Sequence, residues 1–431
     1  MSDGRRGHSD GVSRRNLLAG LAGAGLAAGA AAFVATAPHD TGGADAADGA
    51  SGAPSDVHDF HGEHQAGIIT PAQDRLHFAA FDMTSTSRDD LVALLTAWTA
   101  AAVEMTAGRP VGGDPTSYDS PPNDTGEAQG LPASRLTITF GFGPSLFRDA
   151  KGADRFGLAD RQPAALKRLP HFPADNLDPH RSDGDLCVQA CADDPQVAVH
   201  AVRNLSRIAF GTAALRWSQL GYGRTSSTST SQATPRNLFG FKDGTANLKA
   251  EEADALQQHL WVGAGDDPKG DWLAGGSYLV ARRINMNMET WDRSSMREQE
   301  RIVGRDRGEG APLSGGTEFT EPDFALPGRG GRPLIDVNSH VALAHPSKND
   351  GVRMLRRGYN FIDGNDDLGR LDAGLFFIAF VRDPVRQFIP MQTRMSRQDL
   401  MMEYLQHRGS GLFAAPPGVR PGEFVGQRLF A

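Results

Sequence analysis

Cysteine is almost absent from this chain of 431 residues, which contains only Cys187 and Cys191. Both lie in residues 185–191 (DLCVQAC), a stretch that alternates like a β-strand. Four residues of strand span about 13 Å, whereas a disulfide needs Cα atoms within about 7 Å of each other. We therefore predict two buried thiols on one face of a strand, and no nearby Cys or His completes a metal site with them.

The chain also lacks an excess of positive charge. It has 44 Lys and Arg residues against 52 Asp and Glu residues, a formal net charge of −8. This balance argues against nucleic acid as a partner. Because both cysteines lie on one predicted strand, the sequence offers no Cys–His–Met set for copper, which argues against a copper oxidase.

The uncharged apolar run near the N-terminus, residues 17–33, lacks the length and hydrophobicity of a typical membrane span. It follows Arg14 and Arg15 and precedes a small-residue sequence at 35–37 (ATA), a pattern typical of a signal for twin-arginine (Tat) export. No cysteine follows the run, so it carries no lipoprotein acylation site. We expect residues 1–57 to be a Tat signal and flexible leader, with a membrane anchor as the alternative.

This signal predicts recognition by the Tat translocon and a location outside the cytoplasm. The mature protein would be extracellular, periplasmic or associated with the cell envelope. The Tat route carries folded proteins, often with a cofactor already inserted, so the signal also favours an exported enzyme with a prosthetic group.

The rest of the chain repeats one pattern of elements. A strand at 76–81 precedes a helix from the N-cap Ser87 to Gly108, and a strand around Cys187 runs into a helix from Asp194-Pro195 to Ile208. The second half predicts a strand at 277–284, a helix at 296–303, and a strand at 375–381 that runs into Asp383-Pro384 and another helix.

The Asp–Pro pairs at 194 and 383 lie 189 residues apart, and the two leading strands lie about 200 residues apart. Similar offsets at both ends indicate two copies of one α+β unit. Each copy would be an antiparallel sheet with helices packed on it, in a ferredoxin-like arrangement. We predict an N-terminal domain at 58–230 and a C-terminal domain at 231–431.

Four segments, in order, resemble a known family. Residues 240–244 (GFKDG) match the GxxDG motif of dye-decolourising (DyP-type) peroxidases. Residues 60–68 (FHGEHQAGI), 339–346 (SHVALAHP) and 354–359 (MLRRGY) resemble the Tat-exported branch, which includes proteins described as deferrochelatase/peroxidases. The resemblance covers the chain from about residue 58 to its C-terminus.

The resemblance implies one haem b per chain, held mainly by the C-terminal half of a duplicated ferredoxin-like fold of the dimeric α+β barrel-like superfamily. By position, His340 would be the axial iron ligand, Asp243 the distal acid, and Arg356 the distal arginine and a haem contact. The family often has Asn-Pro-Arg where this chain has His-Pro-Ser, so a basic contact to a haem propionate is missing or comes from elsewhere. Further residues would line the haem: Gly244, Thr245, Ala246, His345, Pro346 and Ser347.

These residue types suit peroxidase chemistry. An acid such as Asp243 can move a proton between the two oxygens of hydrogen peroxide, and the permanently charged Arg356 can stabilise negative charge on the departing oxygen. The implied activity reduces hydrogen peroxide and oxidises dyes, phenols or other small reductants. A haem-binding iron-recovery protein or haem carrier is the alternative, since it would share His340 but would not need the other two residues.

Several roles stay open at this level. Asp243 alone would suit an ordinary turn, and His340 alone would suit a packed or surface histidine. The acceptor for the second nitrogen of His340 could be Asp336 or a downstream acid such as Asp372. The resemblance also allows a homo-oligomer and a partner in an iron-uptake or extracellular redox system.

Other basic residues receive more ordinary interpretations. Arg356 and Arg357 are adjacent, so their side chains should point different ways, and we assign Arg357 to the surface or to a haem propionate. We interpret His61, His64 and His77 as solvated or packed side chains and not as a metal cluster.

Overall fold

The computed structural model describes residues 56–113 and 118–431, so the predicted export signal lies outside the described residues. None of the helices in this part of the chain is long and apolar enough to cross a membrane. The strands are β1 (Arg75–Met83), β2 (Thr137–Phe142), β3 (Leu186–Ala192), β4 (Ala213–Arg224), β5 (Ser277–Met286), β6 (Leu355–Arg356), β7 (Tyr359–Asn365), β8 (Leu371–Val381) and β9 (Leu405–Ala415). The α-helices are α1 (Arg88–Thr106), α2 (Pro144–Phe147), α3 (Pro195–Ile208), α4 (Ala253–His259), α5 (Met288–Trp291), α6 (Met296–Val303), α7 (His340–Ala344) and α8 (Phe388–Gln398).

The strands form one antiparallel sheet in the order β5-β9-β2-β3-β1-β4-β7-β8-β6. Because β8 also pairs with β5, eight strands form a closed ring, and the two-residue β6 is attached to β8. The ring contains the same order twice, β2-β3-β1-β4 and β7-β8-β5-β9, which in each copy is second, third, first and fourth strand along the chain. The predicted duplication of a ferredoxin-like unit is thus confirmed.

Helix ends follow the predicted local signals. The Ser87 hydroxyl accepts a hydrogen bond from the backbone N–H of Asp90 at 3.2 Å, and α1 ends just before Gly108, whose φ is +72°. The carboxylate of Asp194 caps α3, whose first residue is Pro195. The copies differ after β8, because Asp383-Pro384 forms a turn and α8 begins only at Phe388.

The Asp383 side chain explains this later start. It accepts hydrogen bonds from the backbone N–H groups of Val385 (2.8 Å) and Arg386 (3.3 Å), which closes a turn before the helix. Gln387 then accepts from the backbone N–H of Asp383 at 2.8 Å. The prediction of a helix directly at this Asp–Pro pair was therefore wrong by about one turn.

Two apolar layers hold the sheet. Inside the ring, Phe78 stacks on Trp217 with ring centroids 5.2 Å apart, and the buried free thiols of Cys187 and Cys191 lie in the same cluster, as predicted. Outside the ring, Trp98 of α1 fills the space between helix and sheet, 5.1 Å from the ring of Phe81. Burial of such large aromatic groups is a main source of folding free energy.

Candidate active site

His340 is the first residue of α7, and its ring is held by a buried carboxylate. Its Nδ1 lies 2.7 Å from Oδ2 of Asp399, whose side chain is only 1% exposed. The other oxygen of Asp399 accepts a hydrogen bond from the backbone N–H of Met401 at 2.9 Å. A carboxylate at Nδ1 favours the tautomer with the proton on that nitrogen, which leaves the Nε2 lone pair for a metal.

The charges around His340 show which groups share its surroundings. Burial alone would lower the pKa of His340, but the charge and hydrogen bond of Asp399, together with the charge of Asp243, outweigh burial and raise it. The positive charge of Arg356 acts in the opposite direction. The charges of Asp243 and Arg356, the two residues predicted for the distal side, therefore both affect the pKa of the imidazole.

Of the acceptors left open for His340, a downstream acid is correct, but it is Asp399 and neither Asp336 nor Asp372. Asp336 instead binds Arg301, with Nη1 to Oδ2 at 2.6 Å, and Asp372 binds Arg283 at 2.9 Å. Asp399 lies 59 residues after His340 and directly follows α8 as its C-cap. No local pattern links such positions, because only the packing of α8 beside α7 brings them together.

Asp243 and Arg356 form an ion pair, with Oδ1 and Nη1 2.6 Å apart. The amide of Asn237 lies 3.4 Å from the other carboxylate oxygen of Asp243. Asn247 binds the backbone of Arg356 on both sides, since its Oδ1 accepts from the N–H at 2.6 Å and its Nδ2 donates to the carbonyl at 2.9 Å. One loop thus presents the acid and also positions the strand that carries the arginine.

Asn247 is a residue of the candidate site that the sequence argument missed. It lies only four residues after Asp243 in residues 237–247 (NLFGFKDGTAN), so its place in the same motif was an available signal. Its role depends on β6, more than a hundred residues away, and that contact is visible only in the folded chain.

Both glycines of the motif have a backbone conformation that favours glycine. Gly240 has φ +81°, and a Cβ there would lie 2.7 Å from the guanidinium of Arg307. Gly244 has φ +89°, and a Cβ there would lie 2.9 Å from the Cα of Ser226. L-residues with side chains rarely adopt this backbone region, so glycine permits the tight path that presents Asp243.

Arg357 points away from Arg356, but it is neither a surface residue nor a group facing a haem site. Its side chain is fully buried, and its Nη1 donates to the carbonyl of Thr70 at 2.6 Å. Its other terminal nitrogen binds the side-chain oxygen of Gln73. The earlier assignment is corrected because this arginine ties the C-terminal copy to the segment that precedes β1.

His345 forms a small polar cluster at the end of α7. Its Nδ1 accepts from the backbone N–H of Ser347 at 3.2 Å, and its Nε2 lies 2.9 Å from Oε1 of Glu321. The ring of Phe324 meets it edge-on at 5.0 Å. The lining roles of His345, Pro346 and Ser347 stay predictions, as do those of Gly244, Thr245 and Ala246.

The N-terminal histidines are packed and not clustered. His64 stacks on Trp261 with ring centroids 3.6 Å apart and donates to the carbonyl of Gly275 at 2.7 Å. Burial lowers the pKa of His77 to about 4. Within residues 56–113 and 118–431, no three His, Cys, Asp or Glu side chains are grouped as a metal site.

These residues fit a haem iron centre. A histidine whose Nδ1 is held by a buried carboxylate is a typical axial ligand, because it is oriented and made more basic. A carboxylate paired with an arginine is a proton-transfer group next to a fixed positive charge. The charge of Asp243 raises the pKa of His340 and the charge of Arg356 lowers it, so both charges reach the imidazole.

Comparisons with known proteins agree with this arrangement. Residues 65–223 match the family model "Dyp-type peroxidase, N-terminal", and residues 234–420 match "Dyp-type peroxidase, C-terminal". A deferrochelatase of Escherichia coli K12 is 37% identical over 377 residues, 86% of each chain, and a dye-decolorizing peroxidase of Thermobifida fusca is 36% identical over 438 residues, 97% of each chain.

Solved structures are similar over most of their length. Ferric DtpA from Streptomyces lividans has a TM-score of 0.79 and 41% identity, covering 88% of this chain and 98% of the other. A DyP-type peroxidase from Cellulomonas bogoriensis has a TM-score of 0.75 and 40% identity, covering 88% of this chain and 99% of the other. The likeness therefore extends over both copies of the fold.

Proposed function

The chain belongs to the DyP-type peroxidase family and is a haem peroxidase, and from this premise we propose that His340, Asp243 and Arg356 form its reaction centre. The cofactor would be one haem b per chain, held by Nε2 of His340. Two contacts carry the proposal: the hydrogen bond of His340 to the carboxylate of Asp399, and the ion pair of Asp243 with Arg356. The charges of Asp243 and Arg356 both act on the pKa of His340.

Haem, when bound, supplies the redox-active iron at which the O–O bond of hydrogen peroxide is split. The protein's own contribution is proton movement and charge stabilisation. Asp243 accepts a proton from one peroxide oxygen and delivers it to the other, which leaves as water. The guanidinium of Arg356 stabilises the negative charge that develops on the leaving oxygen.

The contacts around these groups limit their motion. Asn247 fixes the backbone of Arg356, and Arg356 in turn holds one oxygen of Asp243 at 2.6 Å. Asp399 fixes the plane of the His340 ring by its bond to Nδ1. Such preorganisation reduces the rearrangement needed at the moment of reaction.

The enzyme uses peroxide and a reductant, and we propose dyes, phenols or other small molecules as the reductants. The similarity to a dye-decolorizing peroxidase of Thermobifida fusca supports this class. The haem-lining roles of residues 244–246 and 345–347 belong to the same proposal, because these residues directly follow Asp243 and α7.

The test is the absorption spectrum of protein loaded with haem, before and after one equivalent of hydrogen peroxide. Wild type should show a ferric Soret band that changes promptly with peroxide. His340→Ala should lose or grossly alter this band, whereas His171→Ala, a change at an exposed histidine, should not. If His340→Ala has the wild-type spectrum and peroxide response, the proposed ligand is wrong.

A second function, iron recovery from haem, is favoured by the 37% identity to proteins described as deferrochelatases. It is tested by incubating the loaded protein with an iron(II) chelator and a reductant and following porphyrin fluorescence. Iron-free porphyrin should accumulate if the chain has this activity. If the haem stays intact while peroxide turnover is retained, the chain is a peroxidase and does not recover iron from haem.

We further propose Tat export to a site outside the cytoplasm. The support is Arg14-Arg15 before the apolar run, together with similarity to the Thermobifida fusca relative over 97% of this chain. Replacing both arginines by lysine should retain the protein in the cytoplasm, while Arg5→Lys with Arg6→Lys should not change its location. Export of the Arg14/Arg15 variant at the normal level would contradict the proposal.

The domain limits 58–230 and 231–431 are proposed on the same grounds as the duplication. A homo-oligomer, and a partner in an iron-uptake or extracellular redox system, also remain proposals. The mass of the holoprotein in solution, measured by light scattering, tests the oligomer directly.

A further inference from the structure

A half-buried glutamate, Glu318, holds the loop of Asp243 on both sides. Oε2 of Glu318 lies 2.6 Å from Nζ of Lys242, and Oε1 accepts from the hydroxyl of Thr245 at 3.1 Å. Lys242 directly precedes Asp243, and Thr245 follows it by two residues. One carboxylate, 11% exposed, thus joins the two ends of the turn that presents the acid.

The glutamate is itself held as an anion. Burial would raise the pKa of Glu318, but hydrogen bonds from Lys242, Thr234 and Thr245 and the charge of Lys242 outweigh burial and lower it. Its backbone is fixed as well, because the buried guanidinium of Arg305 donates to the carbonyl of Glu318 at 2.7 Å. A charged carboxylate of low exposure that binds two side chains holds both of them firmly in place.

The segment that carries Glu318 packs closely on the same loop. A Cβ at Gly310 would lie 2.9 Å from Cδ of Lys242, so the lysine stem lies directly against that glycine. Arg236 donates to the carbonyls of Arg307 and Gly308, both at 2.6 Å. Residues 305–318 therefore pack against the loop of Asp243. Within this segment, Glu318 binds the side chains of Lys242 and Thr245 on either side of Asp243.

We propose that Glu318 is a positioning residue for Asp243. Glu318 acts through Lys242 and Thr245. It fixes the carboxylate of Asp243 in the position from which Asp243 transfers a proton between the oxygens of hydrogen peroxide. The inference rests on the proposed role of Asp243, and it adds a residue outside the GxxDG motif to the machinery of the distal side.

The experiment compares Glu318→Ala and Glu318→Gln with Asp323→Asn in haem-loaded protein. Asp323 lies five residues after Glu318 and Asp323→Asn removes the same charge, but its side chain accepts from the backbone of Ala325 and Leu326 and not from the loop of Asp243 in the described residues. Glu318→Ala should lower kcat/KM for hydrogen peroxide by about 10- to 100-fold, because small displacements of a catalytic group have effects of this size. The KM for the reductant should not change.

Glu318→Gln should recover most of this loss, because its amide oxygen can still accept from Thr245. Asp323→Asn should equal wild type. A second readout needs no turnover: hydrogen exchange of residues 237–247 in haem-free protein should be faster in Glu318→Ala and unchanged in Asp323→Asn. If Glu318→Ala matches Asp323→Asn in both measurements, Glu318 does not position Asp243.

Two further variants separate this inference from a folding defect and from the role of Asp243 itself. Lys242→Met and Thr245→Val each release one contact of Glu318, and each should show a smaller loss of the same kind. When either substitution is combined with Glu318→Ala, the loss of kcat/KM should be smaller than the sum of the two single losses, because both residues act through Glu318. Additive losses would overturn the proposal, whereas full activity in Asp243→Asn would refute the role of Asp243 on which it rests.

Discussion

The two copies of the fold share a strand order but use their helical faces differently. In the N-terminal copy, the 19-residue α1 fills the face of the sheet with Trp98, whose ring contacts Phe81 and Phe140 at 5.1 and 5.7 Å. In the C-terminal copy, the connection between β5 and β7 contains three short helices, and one of them begins with His340. The first copy has a filled core on this face, and the second carries the residues of the proposed site.

The comparison teaches how a duplicated unit acquires a site. The sheet supplies the same frame in both copies, and the chain between the first and second strands decides what lies on it. In the second copy this connection provides His340 and Arg356, and the loop before β5 provides Asp243. Polar groups that would be costly in a filled core are there paired with each other.

The largest expected effect comes from a substitution in the filled core of the first copy, and it is on stability. Trp98→Ala should lower the free energy of unfolding by about 3–5 kcal/mol, because it removes a fully buried ring and leaves a cavity. Urea denaturation of the haem-free protein measures the loss, and Trp98→Phe should lose less. Haem affinity should stay near wild type, and a loss of affinity as large as that in His340→Ala would show that the copies are not specialised.

A smaller effect is expected at the partner of His340. Asp399→Asn keeps the shape of the side chain but removes the charge that orients the imidazole and makes it more basic. We expect activity or haem affinity to fall by about 10- to 100-fold, as for other residues that hold a metal ligand. Peroxide turnover and haem titration measure this, with Asp266→Asn, which breaks an ion pair to Arg382, as a control. Equal behaviour of the two variants would contradict the role of Asp399.

The next prediction compares glycines of similar backbone conformation in the two copies. Gly244 in the second copy has φ +89° and no space for a Cβ, whereas Gly211 in the first has φ +87° and open space around it. Ala at either position costs about 1 kcal/mol or more of strain. Only Gly244→Ala should also reduce peroxide turnover, because Asp243 must move. Steady-state kinetics and urea denaturation separate the two effects, and equal turnover losses would refute the idea.

The smallest effect concerns buried histidines, His77 on β1 and His407 on β9. Burial lowers their pKa values from 6.5 to about 4 and about 3, and for His407 the charge of Arg282 adds to this. The unfolded chain therefore takes up protons first, and stability falls as the pH drops from 6.5 towards 4. Between pH 7 and 5.5 each histidine should reduce the free energy of unfolding by about 1 kcal/mol.

Urea denaturation at these two pH values tests the effect. His77→Gln and His407→Gln should each flatten the pH dependence, and the exposed His171→Gln should leave it unchanged. An unchanged slope in both buried variants would show that neither histidine is kept neutral by the fold.

Local signals in the sequence predicted much of the fold. The caps at Ser87 and Asp194 gave the starts of α1 and α3, and the helix predicted at 296–303 coincides with α6. The closing pairs of the ring, β9 with β2 and β4 with β7, could not be predicted, because their register depends on contacts between the copies.

Motifs in the sequence pointed to some residues of the candidate site and not to others. Asp243, His340 and Arg356 stood in recognisable segments, and in the structure Asp243 pairs with Arg356 while both charges act on the pKa of His340. Asp399 and Glu318 stood in none, since each acts on a residue 59 or more positions away. The burial of Arg357 was missed for the same reason, because its partners precede β1.

Two neighbouring arginines constrain how this protein can evolve. Arg356 serves the acid in its own copy, while Arg357 is buried against the carbonyl of Thr70 and the amide of Gln73 in the other copy. A recombination event that joined residues 231–431 to the first half of a distant relative would have to preserve the groups that bind Arg357. Without them Arg357 would move, and Arg356 beside it would shift as well. The second half therefore depends on the first for the partners of Arg357, and we expect residues 231–431 alone to leave this arginine without them.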